Sequence, residues 1–264
     1  MTPPEPAEKS SAHVQSLVRG LAVICVFNAD NPRQTLSEVA RRADLTRATA
    51  RRVLHTLVDL GYVASDGKNF SLRPKILELG YAYLSSMSLP AVVQPHLEKL
   101  TEATHESSSI AVLDGSDIAY VARVAKQRIM TVAISVGTRF PAYATSMGRV
   151  LLAHLTSAEL ESYLSSTELQ HFTPQTITDP EALKTELAHI RDQGWALVDQ
   201  ELEEGLRSIA APIRDQSGRV VAALNLSASS RRGTAAEVLE HLLPHLMETA
   251  AAIDADLRMV DTRI

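Results

Sequence analysis

The chain has 264 residues, room for two ordinary domains, and its 45% hydrophobic and 22% charged content are those of a globular protein; aromatics are only 4%, so Leu, Val, Ile and Ala must build the cores. One cysteine, Cys25, excludes an internal disulfide framework, and its place in the apolar run LAVICVF reads as a small buried hydrophobe. The net charge of −5 argues against nucleic acid, yet Val14 to Lys75 carries ten Arg and Lys against five Asp and Glu, while the chain from Ile76 onward sums to −9.

Residues 1–13, MTPPEPAEKSSAH, lack a signal peptide's apolar core and read as a disordered arm. No run approaches the roughly 20 apolar residues that cross a bilayer, so a cytoplasmic location with no membrane partner is expected. From Val14 to Phe27, Leu17, Leu21 and Ile24 recur at helical spacing and predict a first helix. NADNPRQ reads as a loop. TLSEVARRAD then opens with Thr35 and Glu38 in a capping-box arrangement, each side chain meeting a free backbone N–H at the helix start. A turn at Asp44-Leu45 leads to a third helix, from an N-cap at Thr46 through Leu60.

The period changes at GYVASDGKNFSL, which predicts a two-stranded hairpin turning at Asp66-Gly67. A helix over residues 74–87 is the natural connector. Beyond it a helix is predicted from Leu89 to His105, then strand-like runs at SIAVLDG, IAYVARV and IMTVAISV. Helices at SAELESYL and EALKTELAHIRDQG follow, then strands at WALVDQE, SIAAPIRD and RVVAALNLSAS. A last helix runs from Ala235 to Val260. Strands wrapped by helices make this an α+β, sensor-like domain.

On a helical wheel Val53, Leu54 and Leu57 lie within about 60° of Ala50, a packed face. Ala48, Arg52 and His55 lie opposite, with Thr49 and Arg51 on the flanks. Arginine forks and a hydroxyl on an exposed helix suit the major groove and its phosphates. Ala40 at the helix crossing, Asp44 at a left-handed turn position and apolar Ala50 fit a helix-turn-helix, and the hairpin makes it winged, with Lys68 at the wing tip.

SLVRGLAVICVF, TLSEVARRADLTRATARRVLHTLVDLGYV and FSLRPKILELGYAYL resemble the N-terminal domain of the IclR family of bacterial transcription regulators. VGTRFPAYATSMGRVLLA, GWALVDQELEEGLRSIAAPI and VVAALNLSAS resemble its effector domain, and the match runs in order from Val14 to about Ala255. The resemblance implies a winged helix-turn-helix over 14–73, a linker helix over 74–87 and a GAF-like effector domain over 88–264, an antiparallel sheet flanked by helices. It also implies homodimers, often paired into tetramers, on palindromic double-stranded operators. Arg47, Thr49, Arg51, Arg52 and His55 are then the DNA-contacting residues, with Lys68 on a phosphate.

Within the second domain, Ala144 to Gly148 spell A-x-S-x-G, one residue from a nucleophile elbow. Pro141 would interrupt the strand such an elbow needs, and no histidine is indicated as a base; a serine hydrolase acting through Ser146 is the rival class. The favoured reading is that the helix start holds an organic carboxylate. Unpaired N–H groups and the helix dipole favour an anion there, and Ala144, Thr145 and Ser146 are small enough to let it approach. Ordinary N-capping by Thr145 or Ser146 is equally compatible. The resemblance makes this segment, Tyr143, Ala144, Thr145, Ser146 and Met147, one wall of an effector pocket, with Asp199, Glu201, Ser208, Asn225 and Ser227 on the others. It lies closest to members that control aromatic-acid catabolism, so the expected effector is protocatechuate, 4-hydroxybenzoate or a related acid, with a small aliphatic oxo-acid as the alternative. No cofactor is expected and no enzymatic activity. His241 and His245 are four apart near the end of the chain, but the H-E-x-x-H pattern is absent and Pro244 should disturb the helix between them, so no metal site is expected.

Overall fold

The computed structural model describes residues 14–84, 89–126 and 134–259. The N-terminal arm, residues 85–88 of the expected linker and most of the strand expected at IMTVAISV lie outside the described residues. Contacts divide the chain into two compact units, Met1–Tyr83 and Leu84–Ile264.

The first unit contains α1 (Gln15–Cys25), α2 (Leu36–Arg42), α3 (Arg47–Asp59), the strands β1 (Gln34–Thr35), β2 (Val63–Ser65) and β3 (Asn69–Leu72), a single 3-10 turn at Pro74–Ile76 and α4 (Leu77–Leu84). Thr35 and Glu38 form the reciprocal cap that starts α2. Backbone and side-chain hydrogen bonds from Thr35, in that order, hold the Glu38 carboxyl below its ordinary range. At the other end Asp44 adopts φ 51°, while Asp44 N–H donates to Arg41 O at 3.4 Å and Leu45 N–H to Ala40 O at 2.9 Å. This is a Schellman closure with aspartate in the left-handed position that glycine usually takes. Thr46 caps α3 by accepting from Thr49 N–H. Val23, Phe27, Val39, Leu54, Leu57, Val63 and Phe70 form the core.

Three sequence expectations need correction in this unit. Cys25 is exposed: it sits two residues, about 200° of helix, from fully buried Val23, so α1 turns it outward. The expected apolar face of α1 is largely on the surface, with Leu17 and Leu21 exposed. The loop before α2 ends in strand β1, which pairs antiparallel with β3 and makes the sheet three-stranded, in the order β1-β3-β2. A two-residue strand carries no periodicity, which is why it was not visible.

The second unit is built on one six-stranded antiparallel sheet. Its strands are β4 (Ser107–Asp114), β5 (Asp117–Val124), β6 (Arg139–Pro141), β7 (Ala196–Asp199), β8 (Leu206–Arg214) and β9 (Val220–Ser229), in the spatial order β6-β5-β4-β9-β8-β7. One face packs on α5 (Leu89–Thr104) and α9 (Ala235–Met259), through residues such as Val93, Leu97, Ile110, Ile209, Leu224, Leu226, Leu246 and Ile253. The other face packs on α6 (Ser146–Ala153), α7 (Ser157–Ser166) and α8 (Pro180–Gln193), through Ala111, Tyr120, Met147, Leu187, Ala210 and Ala223. Alternation along β9 explains both: 222, 224, 226 and 228 supply one apolar face, while Ala223, Asn225 and Ser227 turn to α6. Pro244 lies inside an unbroken α9, contrary to expectation. No helix among the described residues is long and apolar enough to cross a membrane.

Candidate nucleic-acid interface and ligand cavity

In the first unit α3 buries Ala50, Leu54 and Leu57, which forces the residues between them outward. Arg47, Arg51, Arg52 and His55 are exposed and Thr49 is half-buried. Thr49 and Arg52 stand on the α1 side of the helix, along an apolar groove with Leu17, Leu21 and Val53; Arg47, Arg51 and His55 occupy the other flank of the wheel. The Thr46 hydroxyl donates to that of Thr49 at 2.9 Å, fixing the first turn.

The wing is held by Asp66. Its carboxylate accepts from Lys68 N–H at 2.9 Å and Asn69 N–H at 2.6 Å, and it pairs with Arg33. These contacts, Asn69 N–H first and Lys68 N–H second, hold the Asp66 carboxyl far below its ordinary range. Gly67 supplies φ 92° at the turn, and Lys68 projects exposed beside it.

In the second unit edge strand β6 ends at Pro141, and a 3-10 turn (Ala142–Ala144) follows before α6. An edge tolerates proline, so the A-x-S-x-G segment leaves a short rim strand rather than the sharp strand-to-helix turn of an elbow. Thr145 caps α6, accepting from Gly148 N–H at 3.1 Å and donating to Ala142 O at 3.2 Å. A Cβ on Gly148 would lie 2.1 Å from Ala142 O, so the close approach of turn and helix requires glycine here.

Ser146 is buried, and its hydroxyl lies 2.7 Å from that of Ser208. Ser208 donates to Leu226 O at 3.2 Å, and Asn225 Nδ2 donates to Ser208 Oγ and to Ser227 Oγ, both at 3.0 Å. With the Ser208 proton committed to Leu226, Ser146 is the donor of its pair. No histidine bonds to Ser146 among the described residues; His154 caps α6 at its far end and lies against Val150 O and Arg214. The serine is part of a structural polar network.

These groups line a cavity together with Ala144, Thr145, Met147, Tyr120, Val198, Leu202 and Leu206. Its empty volume is about 380 Å³, yet it is tight, with room beyond the packed side chains for about one water. Burial pushes the Tyr120 hydroxyl up to about 12, against an opposing effect of Arg123, so it stays protonated.

The cavity gathers seven of the ten residues expected at an effector pocket: Ala144, Thr145, Ser146, Met147, Ser208, Asn225 and Ser227. Tyr143, Asp199 and Glu201 are outside its lining. The Tyr143 hydroxyl donates to Gln170 O at 2.9 Å, and its ring stacks on Phe172. Asp199 pairs with Arg207 at 2.9 Å. Glu201 receives Arg149, Nη1 to Oε1 at 2.7 Å and Nη2 to Oε2, and accepts from Ile177 N–H at 3.0 Å. Each polar head is consumed by a protein partner. Tyr120, Val198, Leu202 and Leu206 were not foreseen. Tyr120 reaches the cavity because a register shift between Ile110 and Ala111 sets it opposite Ala111, which no spacing in the sequence signals. His241 and His245 border an open groove with His105, Arg232 and Glu237, and among the described residues no three His, Cys, Asp or Glu side chains converge as metal ligands would.

Comparison with known proteins places these two sites in context. A model of the IclR helix-turn-helix domain matches residues 16–67, and a model of the bacterial transcriptional regulator IclR C-terminal region matches residues 81–255. The Pca regulon regulatory protein of Pseudomonas putida is 48% identical over 88% of this chain and 80% of its own. A solved putative transcriptional regulator from Rhodococcus sp. RHA1 is 57% identical, with a TM-score of 0.84 over 94% of this chain and 100% of its own. An IclR homologue from Microbacterium hydrocarbonoxydans, solved in complex with 4-hydroxybenzoate, is 31% identical, with a TM-score of 0.81 over 93% of this chain and 100% of its own.

Proposed function

The chain belongs to the IclR family of bacterial transcriptional regulators, and from that premise we propose that it senses a small aromatic acid such as protocatechuate or 4-hydroxybenzoate and adjusts its hold on operator DNA accordingly. It is not an enzyme in this reading, and Ser146 binds rather than attacks. The observation that carries the ligand half is the cavity at the start of α6, where a polar rim of Thr145, Ser146, Ser208, Asn225 and Ser227 meets an apolar body of Tyr120, Met147, Val198, Leu202 and Leu206. A ring with one charged end matches that division. The carboxylate meets the first turn of α6, where N–H groups and helix dipole favour negative charge. The apolar share favours an aromatic ring over an aliphatic oxo-acid, which would bury little carbon. Met147, unbranched and adaptable, and the neighbouring leucines give way to admit the ring.

For the DNA half, Arg47, Thr49, Arg51, Arg52 and His55 of α3 enter the major groove, and Lys68 rests on a phosphate beside the wing. Residues 14–73 act as the DNA-binding domain, 74–87 as the linker and 88–264 as the effector domain. Two copies address a palindromic operator, as a dimer or a dimer of dimers, with half-sites about one helical turn or a multiple of it apart.

The test is a titration of labelled DNA from upstream of the protein's own gene and of neighbouring catabolic genes, at two salt concentrations, with a panel of aromatic and oxo-acids. Competitor-resistant binding that an aromatic acid shifts supports the reading. A shift only with an oxo-acid, or salt-sensitive binding without sequence preference, contradicts it.

A further inference from the structure

Asn225 lines the cavity at 3% exposure. Both Nδ2 protons are spent, on Ser208 and Ser227, and no donor among the described residues reaches Oδ1. The network fixes which end of the amide is which. Ser208 sends its proton to Leu226 O and so can only accept from Asn225, which places Nδ2 at Ser208 and leaves Oδ1 toward the ligand space.

Resting on the aromatic-acid reading above, we propose that Asn225 reads a ring hydroxyl: the effector is a hydroxy-substituted aromatic acid, and the acid without the hydroxyl is rejected. The argument is one of satisfiability. The Ser146 and Ser227 hydroxyls rotate and serve as donor or acceptor, so they adapt to either kind of ligand group. An amide oxygen only accepts. A carboxylate placed against it brings two acceptors together, so the ligand's acid group lies elsewhere and a proton donor meets Asn225. A ligand with carbon or fluorine at that point strands a buried acceptor, a loss larger than the gain from making the bond. Sites built around such a group reject the analogue that lacks the donor far more strongly than apolar pockets reject a missing methylene.

The experiment is calorimetric titration of the full-length protein with benzoate, 4-fluorobenzoate, 3- and 4-hydroxybenzoate and 3,4-dihydroxybenzoate, on the parent and on Asn225→Leu. In the parent at least one hydroxy acid should bind about tenfold or more tighter than benzoate and 4-fluorobenzoate. In Asn225→Leu that ratio should fall to about threefold or less, with benzoate affinity retained. Equal affinity for benzoate and every hydroxy acid in the parent, which needs no variant, overturns the proposal while leaving the aromatic-acid reading intact. So does an undiminished ratio in Asn225→Leu. Binding of none of the acids by the folded parent overturns the reading itself and this proposal with it.

Discussion

Arg149 and Glu201 form a paired, almost fully buried ion pair that ties helix α6 to the segment between β7 and β8. Arg149, at 1% exposure among the largest fully buried side chains, also donates from Nε to Tyr143 O at 2.8 Å. One guanidinium therefore fixes the turn before α6, the helix itself and the opposite rim of the cavity. This pair consumes the carboxylate that the family resemblance assigned to the effector.

Removing one member of a buried pair strands the other charge. Glu201→Gln keeps the shape but leaves the guanidinium without its counter-ion, and the expected loss is about 3–5 kcal/mol. Urea unfolding followed by tryptophan fluorescence, using Trp195 beside β7, measures it. A loss below about 1 kcal/mol, the range of a surface pair, would mean that the contact does not organise the site.

Gly148→Ala tests the close approach of the 3-10 turn to α6. The new methyl meets backbone, the Ala142 carbonyl, which cannot swing aside as a side chain can. The expected cost is about 1–3 kcal/mol of stability, with loss of ligand affinity because Thr145 and Ser146 move with the turn. Unchanged affinity in a folded variant would separate the α6 start from ligand binding.

The DNA face predicts two distinct signatures. Arg52→Ala and Arg51→Ala should weaken operator binding by about 1–3 kcal/mol each if they reach base edges, and should relax specificity there while leaving acid binding unchanged. Lys68→Ala should weaken binding to all sequences alike and reduce the salt slope by about one unit. Loss of acid binding in Arg52→Ala would contradict the division of labour between the two units.

His154 predicts a pH effect. Burial first, then Arg214 and Arg191, hold the imidazole below its ordinary range against the opposing pull of the Val150 carbonyl. The unfolded chain takes up this proton near pH 6.5 and the folded protein only at lower pH. Above about pH 6.5 the residue contributes nothing to the pH dependence; as pH falls from there toward the folded value, the unfolded state binds more protons and stability declines. His154→Gln should flatten this part of the profile in thermal or urea unfolding. A variant profile parallel to the parent's would show that the imidazole titrates normally.

Much of the architecture was legible because its signals are local. The Thr35–Glu38 cap, Asp44 at the turn, Thr46 at the start of α3 and Gly67 in the wing each act within a few residues, and each lies where its chemistry places it. The cavity was legible only in part. The alternation in β9 points Asn225 and Ser227 one way, but the register shift that brings in Tyr120 and the pairing that withdraws Asp199 and Glu201 are long-range. The exposed stripe on α1 misled for a related reason: periodicity identifies a face, not what covers it.

The central claim is that an acid bound in the second unit and DNA bound by the first are coupled. The most direct measurement is reciprocal: the operator dissociation constant with and without saturating hydroxybenzoate or protocatechuate, and the acid's dissociation constant with and without saturating operator. Thermodynamic linkage requires the same factor in both directions, and the account predicts a factor clearly different from one, of either sign. A factor of one in both, with both ligands bound, would contradict it.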